Sequence, residues 1–91
     1  MAAVAGGLTP LRLDLRQLPA PEPMQRILDQ LQTLPAGQLL LALTPLYPAP
    51  LLPILAQWGF VWYVHDAPGG GARIAICHAS DRHLLDTPPA A

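Results

Sequence analysis

Cys77, His65, His78 and His83 are the residues of this chain whose types suit sulfur, redox or metal chemistry. Cys77 is the one cysteine, so an internal disulfide and any CxxC pair are excluded. A thiol reacts as the thiolate, which an adjacent His78 could favour. A free cysteine is otherwise a small apolar filler, and often a buried one. On an alternating strand Cys77 shares a face with Arg73 and Ala75, opposite Ile74 and Ile76. Together with Cys77 the histidines could ligate a metal. Yet Cys77-His78 followed by His83 lacks the regular offsets of zinc motifs, and neighbours on a strand point to opposite faces. No metal site, no cofactor and no catalytic residue is expected.

Charges gather elsewhere. Asp14, Arg16 and Glu22 surround a turn with Ala20 at its centre, and they read as a polar pocket or docking edge. The plain alternative is a solvated strand face followed by a Glu that complements a helix dipole, since surface ion pairs are common and weak. Trp58, Phe60, Trp62 and Tyr63 hold four of the five aromatic residues within a few positions. Alternation sends Phe60 and Trp62 to one face and Val61 and Tyr63 to the other. Exposed aromatics mark contact surfaces, so Trp62 and Tyr63 are candidate interface residues. Alternatively Trp62 packs internally, on the hairpin or against Leu84 and Leu85.

The elements that position these residues follow from periodicity. Leu11, Leu13 and Leu15 alternate with Arg12, Asp14 and Arg16, the pattern of a half-buried strand. Pro19 ends it, because proline cannot donate to a ladder. Pro21 and Pro23 pre-set φ for a helix. Its stripe, Met24, Ile27, Leu28, Leu31 and Leu34, predicts a helix over Glu22–Leu34, stopped by Pro35 and Gly37. QLLLALT, Gln38–Thr44, reads as a central strand buried on both sides. A second helix is expected over Pro50–Trp58, with Pro53 in its first turn and Gly59 as its left-handed terminus. FVWYVHD and ARIAICH flank PGGG as a hairpin.

The order β-α-β-α-β-β predicts an α/β (α+β) two-layer sandwich, a four-stranded mixed sheet with both helices on one face. The expected core contains Leu13, Leu15, Ile27, Leu28, Leu31, Leu41, Leu55 and Ile76. Residues 1–10 read as a flexible leader, 11–78 as the domain and 79–91 as a flexible tail.

Composition narrows the function. Ninety-one residues that are 52% hydrophobic and only 12% charged can build a core and do not read as a disordered chain. The net charge is −1 and no basic patch is visible, which argues against nucleic acid as a partner. A Lys/Arg-rich amphipathic face is also absent, as is an apolar run of spanning length, so no membrane association is expected. MAAVAGGLTP lacks the charged and apolar regions of a signal peptide. A cytoplasmic protein is the expectation.

Leu18-Pro19-Ala20-Pro21-Glu22-Pro23, with the β/α order over about residues 11–78, resembles the TusA/SirA-like sulfur-carrier fold. That family's strand ends in Leu-x-Cys-Pro-x-Pro at the start of the first helix, and its cysteine carries a persulfide. Here Ala20 stands at the cysteine position. The chain is more similar to a cysteine-less bacterial domain of unknown function with an LDxRxLPxPEP start, matched by Leu13-Asp14-Leu15-Arg16, Pro19 to Pro23 and Leu34-Pro35-Ala36-Gly37. The resemblance implies the carrier scaffold without its reactive thiol. The expected function is therefore a non-enzymatic module that binds a protein partner or small ligand, with a homodimer as one form of such a contact. Rival readings are sulfur transfer or redox chemistry at Cys77, and a metal- or haem-handling accessory that uses the histidines.

Overall fold

Alternation at the start of the domain becomes a short parallel strand. The computed structural model describes residues 10–86. Strand β1, Leu11–Asp14, pairs in parallel with β2, Leu40–Thr44, setting Leu11 beside Leu40 and Leu13 beside Ala42. The Leu15 N–H extends the pairing by donating to the Leu43 carbonyl at 2.8 Å.

Helix α1, Glu22–Leu31, starts with proline in its first turn, where no intrahelical N–H is lost, and with an i,i+4 pair between Arg26 and Glu22 at 2.9 Å. It buries Ile27 and Leu31, with Met24 and Leu28 packed beside them. The expected end at Leu34 is three residues too late. Thr33 and Leu34 donate to Gln30 and Leu31, so the helix tightens into a final turn before Pro35. Leu34 stays in the core because that turn carries the stripe onward.

The second helix also differs from its expected span. Ala49–Leu51 forms a 3-10 turn that runs into α2, Leu52–Gln57. Each of the two turns takes a proline into its first positions, so neither Pro50 nor Pro53 removes an interior hydrogen bond. Gly59 closes α2 at φ +86°, as expected.

Strands β3, Phe60–Asp66, and β4, Ala72–His78, form the antiparallel hairpin. The sheet order is β1-β2-β4-β3, with β4 antiparallel to β2. Leu40, Ala42, Ile74 and Ile76 point toward α1 and α2, where Ile27, Leu55, Leu40, Ile74 and Ile76 lose essentially all solvent contact. Each such side chain contributes about 1.5–3 kcal/mol of burial.

Three expectations change on the opposite face. Residues 79–86, read as part of a tail, form a 3-10 turn, Ala79–Asp81, and a one-turn helix α3, His83–Asp86. Leu84 and Leu85 pack on a second cluster of Leu39, Leu41 and Cys77, so one helix turn lies across from the other two. Leu41 is buried as expected but in this second cluster, because alternation within β2 turns it away from Leu40 and Ala42. Trp62 goes the other way and packs on the helical side. The segment is fixed at its base: the Gly37 N–H donates to an Asp81 carboxylate oxygen at 2.6 Å, and His78 Nε2 lies 2.7 Å from the Leu34 carbonyl. The leader residues 1–9 and the tail residues 87–91 lie outside the described chain.

Candidate functional site

The turn between β1 and α1 carries two separate ion pairs rather than one pocket. Arg16 grips Asp14 with two guanidinium contacts, Nε to Oδ1 at 3.0 Å and Nη2 to Oδ2 at 2.9 Å. The hydrogen bonds from Arg16 hold the Asp14 carboxyl below its usual range. Glu22 turns instead to Arg26 on its own helix. Ala20 lies exposed between the pairs, and the Ala20–Pro21 peptide is cis. Of the residues read as one cluster, Asp14 and Arg16 are brought together, while among the described residues no hydrogen bond or ion pair joins Glu22 or Ala20 to them.

A second feature was not legible in the sequence. On the face away from α1 and α2, β2 presents Leu41 and Leu43 between β1 and β4. Arg12 sits beside Leu41, Arg73 beside Leu43, and the two arginines are two strands apart, on the order of 10 Å between backbones. These residues and Asp14 line a shallow depression of about 310 Å³. Among the described residues neither Arg12 nor Arg73 forms an ion pair or side-chain hydrogen bond. The arrangement is an apolar floor flanked by two guanidinium groups without ion pairs among the described residues, with Asp14 paired to Arg16. Its signal in the sequence is present but spread over sixty residues, since only the sheet order brings Arg12 and Arg73 to one floor.

The aromatic cluster splits. Trp62 is half-buried on the helical side, whereas Tyr63 is 53% exposed on the opposite face, its ring stacked on His65 at 4.3 Å. The histidines are dispersed: His65 stacks on Tyr63, His78 meets Phe60 and the Leu34 carbonyl, and His83 starts α3. Among the described residues no three His, Cys, Asp or Glu side chains converge as metal ligands, and no helix is long and apolar enough to cross a membrane.

A family model of uncharacterized conserved proteins (DUF2249) matches residues 12–78. The chain belongs to the DUF2249 family. No curated protein and no solved structure matches it. The DUF2249 match takes in Arg12, Asp14, Arg16, Ala20, Arg73 and Cys77, but it stops short of the α3 leucines that close over Cys77.

Within the DUF2249 domain Cys77 is fully buried, and its S–H reaches the Asp81 carbonyl at 3.3 Å. Burial, reinforced by the Asp81 charge and opposed by Arg82, pushes the thiol from its ordinary 9.0 up to about 11. A rise of that size leaves about 100-fold less thiolate near neutral pH. Alkylation by iodoacetamide at pH 8 should therefore run at least about 100-fold slower in folded protein than in urea-unfolded protein. Equal rates in the two states would show that Cys77 is open to reagents. The folded thiol holds its proton more tightly than the unfolded one, so its contribution to stability is complete below pH 9.0 and is lost as pH rises through about 11.

Proposed function

We propose that this DUF2249 domain is a non-enzymatic binding module on a sulfur-carrier scaffold, working in the cytoplasm and taking an acidic segment of a protein partner on its α3-bearing sheet face. The observation that carries the reading is the pair Arg12 and Arg73, without ion pairs among the described residues, flanking Leu41 and Leu43. An unpaired guanidinium beside apolar surface suits a carboxylate attached to an apolar group, because the floor excludes water while the fork takes two oxygens. Ala20 at the turn supports a binding role over a carrier role, since a methyl group cannot hold a persulfide.

The test is calorimetric titration with a short Glu/Leu peptide, a Lys/Leu peptide serving as the control. The acidic peptide should bind, and Arg12→Glu with Arg73→Glu should weaken it by more than about tenfold, because each charge-assisted bond is worth about 1.5–3 kcal/mol. Equal binding of both peptides, or an unaffected double variant, would overturn the reading.

Sulfur transfer at Cys77 needs α3 to lift from the sheet before any acceptor could reach the thiol. A metal- or haem-handling role needs histidines from three separated places to converge. Neither has an observation in its favour comparable to the two arginines, unpaired among the described residues, beside Leu41 and Leu43.

A further inference from the structure

Strand β3 is an edge whose only ladder partner among the described residues is β4. The bonds just beyond each end of that pairing fix which backbone groups are used. Ala79 N–H donates to Gly59 O, and Ala67 N–H donates to Gly71 O. Bonded positions alternate along an antiparallel strand, so the odd residues, Val61, Tyr63 and His65, spend their backbone groups on β4. The N–H and C=O groups of Phe60, Trp62, Val64 and Asp66 point outward, and no loop or helix among the described residues takes them up.

The two edges of the sheet differ. β1 is short, carries Arg12 and Asp14, and runs into Pro19, all devices that blunt an edge. β3 spans seven residues with no proline or lysine, and its first five, FVWYV, are uncharged. On the open face, beside this strand, a shallow groove of about 350 Å³ is lined by Val61, Trp62, Tyr63, Arg82 and Leu85.

We propose that β3 pairs antiparallel with β3 of a second copy about a two-fold axis at Tyr63, making one continuous sheet across both chains. This inference does not rest on the acidic-peptide reading. It opposes Trp62 to Val64 and Phe60 to Asp66 of the second copy, and it is the two-fold register that engages the outward groups of all four residues. Charge selects the antiparallel sense. A parallel alignment would set Asp66 beside Asp66. The antiparallel one sends the two carboxylates to opposite ends, each toward the Phe60–Val61 end of the other copy. At the axis the two Tyr63 residues form a non-hydrogen-bonded pair with Cα atoms about 4.5 Å apart. Their side chains lie on the open face, where Tyr63 is now half-exposed.

Sedimentation of the full chain up to millimolar concentration tests this. A concentration-dependent dimer is expected, and Tyr63→Lys, at an exposed position, should raise its dissociation constant at least tenfold by placing two ammonium groups at the axis. In a Cys77→Ala background, Tyr63→Cys should oxidise to a disulfide-linked dimer, because the axial Cα spacing suits a disulfide. His65→Cys, which would oppose Val61, should not. A persistent monomer, equal cross-linking at both positions, or a dimer indifferent to Tyr63→Lys would overturn the proposal. So would a monomer whose Trp62 and Val64 amides exchange slowly, since the chain's own residues would then cover the edge.

Discussion

Ile76→Ala should cost the domain about 2–5 kcal/mol and lower its melting temperature by about 10 °C or more. Ile76 is fully buried on β4, one of the two central strands, and its ladder neighbours are Leu40 on β2 and Trp62 on β3. All three point at α1 and α2, so the removed methyl groups leave a hole between layers that are fixed by backbone pairing below and helices above. Such a site collapses poorly, and the cavity term adds to the lost transfer energy. Ala75→Gly on the same strand removes a half-buried methyl from the other face and should cost less. Thermal unfolding of both variants decides the matter. A loss under about 1 kcal/mol at Ile76 would place the core elsewhere.

Gly71→Ala should be the most damaging single-carbon addition in the hairpin turn. Gly71 has φ +78°, and a Cβ built there would fall on the Thr44 carbonyl oxygen. That oxygen cannot yield easily. Thr44 is buried, its backbone pairs with Ala72, and its hydroxyl donates to the Leu46 carbonyl at 2.7 Å. Gly69 has a similar φ of +84° with open space around it, so Gly69→Ala isolates the backbone penalty of about 1–3 kcal/mol. Gly71→Ala should exceed it by a margin visible in urea unfolding. Equal costs at the two positions would remove the Thr44 contact from the account.

Much of this fold was legible because polar residues declared their faces. Arg12 and Asp14 between leucines oriented β1, and the stripe from Met24 to Leu31 oriented α1. Reading failed where no polar residue breaks the run. LLALT and FVWYV look alike from either side, so the run alone does not say which cluster Leu41 joins or which face Trp62 takes. Only the pairing of β2 and β3 with β4 settles the matter. Helix α3 was missed because one turn has no period to detect, and its signal was only the adjacent pair Leu84 and Leu85. At the site, the Asp14–Arg16 pair could be read from proximity along the chain. The Arg12–Arg73 pair could not, because it exists through strand order alone.

The segment that follows β4 changes what counts as the unit of this protein. The sheet ends at His78 with helices over one face only, and Leu39, Leu41 and Cys77 owe their cover on the other to Leu84 and Leu85. Cutting the gene at His78, where the family match ends, would leave those three residues bare and strip Gly37 of its Asp81 acceptor. The physical module therefore runs past the border that sequence similarity draws, and its second face is completed by residues outside that border.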